Sequence, residues 1–289
     1  MRESIKIRIL ITEMKNWLCV IFLVVITACS KADNAKEVQI KNADNQDIAV
    51  EVFKPSDTSG NQLAFIQHGL AADKEHTVVQ TLKQAFLDKG YTVVLFDSRF
   101  SIGKSFGGVE NARLQTFVED LYTVVKWAET QSFYHQPFAL AGHSLGGAAV
   151  LLFTYNNPQK VSLLIPVTPV VSGEDWESTC MQNMPDFCRN WKQNGYYEYK
   201  PFGKPATISY QTVEDAKSYD AKEILPAIKT PILLIAGEDD KVVNPEAIAG
   251  LSAYMQPEDK LAIIQHSGHN FENKGNLDDL YNTVSKFIK

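Results

Sequence analysis

Apolar positions along the chain follow two alternating rhythms. Short apolar runs that stop at a glycine or an acid ("QLAFIQHG", "YTVVLFD", "PFALAG", "VSLLIPV", "TPILLIAG", "KLAIIQ") have the length and β-branched content of buried strands. Between them lie segments with helical spacing. Val78, Leu82, Ala85 and Phe86 share one face before a stop at Gly90, and Leu114, Phe117, Val118, Leu121, Val124, Val125 and Ala128 share another. "GGAAVLLFTYNN" reads as a helix ended before Pro158, and "LYNTVSKFI" as a closing helix. Upstream, "VQIKNADNQDIAVEVFKP" reads as two strands around an Asn/Asp turn.

Strand and helix alternate from about residue 62 onward, which predicts a mostly parallel sheet covered by helices on both faces. The alternation breaks over about 171–222. That stretch has no clean period and is rich in aromatics (Trp176, Phe187, Trp191, Tyr196, Tyr197, Tyr199, Phe202, Tyr210, Tyr219). A long insertion in a compact domain is usually functional, and a lid is expected here; core packing would account for the same aromatics.

The N-terminus has its own pattern. Trp17–Ala28 is nearly continuous apolar sequence after Lys15, too short to span a bilayer and shaped like an export signal. It ends in "ITACS", which resembles the lipobox of bacterial lipoproteins. By that resemblance residues 1–28 are a signal peptide and Cys29 takes lipid and anchors the chain to a membrane, on the periplasmic or cell-surface side. Ser30 is not the aspartate that marks inner-membrane retention in that pattern, which favours the outer membrane in a cell with two. An uncleaved membrane helix is the alternative, and Met14 competes with Met1 as the start. Residues 29–45 are assigned to a tether and 46–289 to the folded domain.

The 289 residues carry a formal charge of −6; residues 1–29 hold four basic and two acidic side chains, so the remainder carries −8. With no basic patch, a nucleic-acid partner is not expected. Of four cysteines, Cys19 lies in the signal and Cys29 in the lipobox, leaving Cys180 and Cys188 to pair in an oxidising compartment or to stay as two thiols. The six histidines show no metal-ligating spacing, so neither metal nor organic cofactor is expected. No feature bears on oligomeric state.

The chemistry concentrates in "GHSLGG". Gly142-x-Ser144-x-Gly146 between a strand and a helix makes a sharp turn that exposes a serine nucleophile. The helix N-terminus behind Ser144 points N–H groups at developing negative charge. One oxyanion donor is then the N–H of Leu145. The second comes from "HGLAAD", from Leu70 or, less favoured, Ala71. His68 is read as shaping that loop. An acid should follow: "AGEDDKVVNP" offers Asp240, three after Gly237, with Asp239 as rival and Glu238 remote. A histidine should come last: "QHSGHNF" offers His269, with His266 still at the strand end. His143 is read as a packed neighbour of the nucleophile.

Together "HGLAAD", "YTVVLFDSR…GKS", "GHSLGG", "GEDDKVVNP" and "GHNF" resemble the α/β-hydrolase superfamily over residues ~45–289, in the monoglyceride-lipase-like and serine-aminopeptidase-like branch. Small bacterial carboxylesterases of the cinnamoyl (feruloyl) esterase type are the most similar. The resemblance implies an α/β-hydrolase fold, a Ser144–His269–Asp240 triad, an acyl-enzyme and a small-molecule ester substrate. The sequence departs from the family's D-x-R-G-x-G-x-S after the fourth strand. Here Asp97-Ser98-Arg99 runs into Phe100-Ser101-Ile102 before Gly103-Lys104-Ser105. An exopeptidase is the competing activity, with Glu174, Asp175, Glu177 or Asp186 receiving a substrate amine. A silent binding lipoprotein on the same fold is a third reading.

Overall fold

A computed structural model of the chain describes residues 36–56 and 62–288. The expected signal peptide, Cys29 and residues 30–35 of the expected tether lie outside the described residues.

An eight-stranded sheet forms the centre, in the order β1-β2-β4-β3-β5-β6-β9-β10. Its strands are β1 (Lys36–Lys41), β2 (Asp47–Phe53), β3 (Leu63–Gln67), β4 (Thr92–Phe96), β5 (Phe138–His143), β6 (Val161–Val167), β9 (Leu233–Gly237) and β10 (Lys260–Ile264). The β1–β2 and β2–β4 pairs are antiparallel and the rest are parallel. The strand β1 pairs residue by residue with β2, from Lys36↔Val52 to Lys41↔Asp47, so the fold begins before position 46 and the expected 29–45 tether is too long. The reason is visible in the turn, where Asn42 Oδ1 accepts from the backbone of Asp44 and Gln46.

Strand alternation divides the core into two layers. On β3, Leu63 and Phe65 join one cluster while Ala64 and Ile66 join the other; on β5, Phe138 and Leu140 oppose Ala139 and Ala141. The helices α2 (Leu114–Ala128) and α3 (Leu145–Asn156) cover the first face, and α1 (Thr77–Leu87) and α9 (Lys274–Phe287) the second. The helix α3 is buried nearly all round because the sheet, α2 and residues 221–227 all pack on it.

Between β6 and β9, the aperiodic stretch holds α4 (Gly173–Asn183), α5 (Pro185–Asn194), a hairpin of β7 (Tyr196–Tyr199) with β8 (Ala206–Ser209), and the short helices α6 (Gln211–Ala216) and α7 (Ala221–Ile224). A disulfide joins Cys180 to Cys188, Cα atoms 5.9 Å apart, and ties α4 to α5. One further helix, α8 (Pro245–Gly250), follows β9.

Candidate active site

The strand β5 ends at His143 and the chain turns into α3 through Ser144, with φ 56° and ψ −118°. A non-glycine residue in this region carries ~1–3 kcal/mol of backbone strain and persists only where its surroundings force it. Both flanking glycines are part of that enforcement. A Cβ on Gly142 would collide with the Gly146 carbonyl, and a Cβ on Gly146 with the carbonyl of His68. Ser144 N–H donates to Val167 O (2.9 Å) and its carbonyl accepts from Ala148 and Val170 (both 3.2 Å), which fixes the turn against β6.

The structure distinguishes the two candidate acids. Asp240 is buried; its Oδ1 accepts from the N–H groups of Val242 (2.8 Å) and Val243 (3.0 Å), and its Oδ2 lies 2.7 Å from His269 Nδ1. Asp239 points outward with Glu238 and His266. His266, its side chain 88% exposed, meets Glu238. His269 and Ser144 line one cavity. Leu145 opens α3 and Leu70 follows Gly69, whose Cα packs beside Ser144; neither amide donates a hydrogen bond within the described residues.

Buried polar contacts hold the surrounding loops. His68 Nδ1 donates to Gly69 O (2.7 Å) and Nε2 accepts from Ser98 N–H (2.9 Å), so the ring is neutral; burial holds its pKa below the ordinary value. The Asp97 carboxylate accepts from the backbone of Lys74 (2.8 Å) and Lys104 (2.9 Å), joining the loops after β3 and β4. In the departing 97–105 loop, Arg99 N–H and Nε both bond Asp120 of α2, at 2.6 and 2.5 Å.

The cavity, about 360 Å³, is lined by Leu70, Ala71, Ala72, His76, Trp176, Cys180, Met184, Phe187, Trp191, Tyr197, Tyr199, Pro201, Ile208, Val242 and Asn270 besides Ser144 and His269. Among the described residues no carboxylate lines it. The four acids considered for amine binding are engaged elsewhere or face solvent: Asp175 with Lys222, Glu177 with Lys217 and Lys192, Asp186 with Arg189, and Glu174 exposed. Sequence reasoning did not anticipate His76 in this wall; an isolated histidine ahead of a helix carries no signal that it faces a site far away in the chain.

The model of the prolyl oligopeptidase family matches residues 78–289, from α1 to the last residue. The chain belongs to that family. Among relatives of this prolyl oligopeptidase family member, a bifunctional esterase/perhydrolase of Acinetobacter calcoaceticus is 24% identical over 256 residues, spanning 77% of this chain and 89% of the relative. Est1E of Butyrivibrio proteoclasticus, solved with ferulic acid bound, superposes with a TM-score of 0.69 at 21% identity, covering 87% of this chain and 97% of Est1E. The esterase domain of a Rhodothermus marinus protein gives 0.65 at 20% identity, covering 88% and 97%. The fold is that of an α/β-hydrolase.

Proposed function

We propose that the protein hydrolyses carboxylic esters, with Ser144 as nucleophile, His269 as base and Asp240 orienting the imidazole. Ser144 Oγ attacks the ester carbonyl carbon while His269 takes its proton; the tetrahedral oxyanion accepts from the N–H groups of Leu70 and Leu145. Collapse expels the alcohol, which leaves with the proton from His269. Water then repeats the sequence on the acyl-enzyme and releases the acid. Asp240 keeps the Nδ1–H tautomer and balances the imidazolium.

The observation that carries the ester reading is the cavity wall: aromatic and aliphatic side chains around Ser144, with no carboxylate among the described residues to receive an ammonium group. Such a pocket suits an apolar or aromatic group of modest size. The stretch 171–222 acts as a lid in this reading, supplying Trp176, Met184, Phe187 and Trp191 to the cavity. The ferulic acid held by Est1E and the esterase activity in the Acinetobacter relative's name point the same way. Membership of a peptidase-named family supports the exopeptidase as second reading.

The test is turnover of p-nitrophenyl esters of increasing acyl length, methyl ferulate and aminoacyl-p-nitroanilides, beside Ser144→Ala. Ester turnover that disappears in the variant is expected. Anilide turnover without ester turnover would move the assignment to the exopeptidase, and an inert protein that no serine-directed phosphonate labels would move it to the silent binder. We also propose that Cys29 carries lipid and holds the protein at a membrane outside the cytoplasm; the lipobox-like sequence supports this. Labelled fatty acid should enter the wild type and not Cys29→Ala.

A further inference from the structure

Three imidazoles stand in a row beside Ser144. The His76 ring stacks on His143 with centroids 5.1 Å apart and planes 16° from parallel, and the His143 ring lies 4.9 Å from that of His269. His143 is the last residue of β5, directly before the nucleophile, and is buried. Its Nε2 is 2.9 Å from the main-chain carbonyl of His269. We infer that His143 is a positioning residue: by donating from Nε2 to that carbonyl, it holds the base in register with the serine that follows it in the chain. This inference rests on the ester-hydrolase reading and deepens it.

The tautomer follows from the partner. A carbonyl only accepts, so Nε2 carries the hydrogen and Nδ1 is bare. His143 Nδ1 is buried with no partner among the described residues, beside Gly69 in the loop of Leu70. Burial, and then the neighbouring His269 and His76, hold the His143 pKa well below the ordinary value. The ring therefore stays neutral and adds no second cation when His269 becomes an imidazolium.

Loop anchoring explains why the bond matters. Before His269, the segment is tied by Asp239 N–H to Ser267 O (2.8 Å) and by His266 N–H to Glu238 (2.9 Å). Beyond it, Phe271 is fully buried. Among the described residues, His269's own main chain makes one hydrogen bond, to His143. The Asp240 contact fixes one ring nitrogen, and the ring can still swing about it. The second tie, at the backbone, sets where Nε2 of His269 stands relative to Ser144.

The experiment compares H143Q with H143M in the full chain. The two side chains match in length, and only glutamine can donate at the ε position. Misplacement of a reacting group by about 1 Å lowers turnover on the order of 100-fold, so H143M should lose about 10- to 100-fold in kcat on p-nitrophenyl butyrate with little change in KM. H143Q should recover most of that loss. The far-downfield proton of His269 Nδ1–H, read by NMR, should shift or broaden in H143M and return in H143Q. Equal impairment of both variants would reduce His143 to packing and overturn the inference. So would wild-type kcat and an unmoved resonance in H143M. If wild type neither turns over esters nor takes a phosphonate, the ester reading fails, and the NMR comparison still decides the inference. H143F replaces H143M if the latter melts below the assay temperature.

Discussion

Asp240 Oδ2 lies 2.7 Å from His269 Nδ1, and the two residues follow the C-terminal ends of adjacent parallel strands. Two backbone amides occupy the other carboxylate oxygen, so the acid is held in one orientation, towards His269. Asp240→Asn keeps the shape and removes the charge that selects the tautomer. The expected loss in kcat is on the order of 10⁴-fold, with thermal stability little changed. Asp239→Asn, at an exposed neighbour whose backbone N–H donates to Ser267 O, should turn over like wild type. Comparable losses in both variants would refute the assignment of Asp240.

That pair marks how far the sequence could be read. The buried strands were legible because each is an apolar run closed by glycine or an acid, and the order of serine, acid and histidine followed from which strand ends they occupy. Spacing from Gly237 favoured Asp240 without removing Asp239 as a rival, since neighbours in a turn point in different directions and only packing selects one. At Gly237 the acid loop passes against the carbonyls of Ser267 and Gly268, which sets that direction. The 171–222 stretch stayed opaque for another reason. Its aromatics serve both the cavity and one another, as Phe187 does against Trp191 and Tyr197, so no single helical stripe emerges.

The loop that departs from the family pattern carries a buried ion pair, Arg99–Asp120, with side chains 5% and 0% exposed. Arg99 keeps Glu119 and Gln46 as partners if the Asp120 charge is removed, and burial already pushes the Asp120 carboxyl up to about 6. Asp120→Asn leaves one acceptor for the two Arg99 donors that meet Asp120, and an unmet buried donor costs about 1–3 kcal/mol, so unfolding free energy should fall by about that amount, read from urea midpoints. Glu119 also meets Arg99, from a half-exposed position, and Glu119→Gln should change stability by less than about 1 kcal/mol. Equal effects would mean the buried pair contributes no more than a surface one.

Acid should destabilise the fold through His76. Burial, then His68 and His269, push its pKa from the ordinary 6.5 to about 4. The unfolded chain then binds the extra proton first as pH falls. Stability is fully present above 6.5 and is lost as pH drops through the window down to about 4. The slope from one such histidine is at most about 1.4 kcal/mol per pH unit. His76 caps α1, its Nδ1 accepting from Val78 N–H, and asparagine can do the same without titrating. His76→Asn should therefore flatten the dependence of urea midpoint on pH in that window, leaving a residual slope from the buried His68 and His143. An unchanged slope would show that His76 is not the group being protonated.

The Cys180–Cys188 bridge closes a loop with a sequence separation of 8. Chain-entropy arguments give such a short loop about 2.5 kcal/mol. The larger consequence should be local. Cys180 is itself part of the cavity wall, and the bridge holds α4 against α5, which with Met184 between them present Trp176, Phe187 and Trp191 to the same space. Opening the bridge frees that wall while the sheet beneath, carrying Ser144, Asp240 and His269, keeps its own hydrogen bonds. Cys180→Ala/Cys188→Ala should accordingly melt lower and lose discrimination among acyl groups, with kcat/KM for aromatic or long acyl esters falling more than for acetate. A non-reducing peptide map of the wild type should recover the two cysteines in one linked fragment. Two alkylatable thiols, or a uniform fall across all acyl lengths in the double variant, would remove the bridge from the account of specificity.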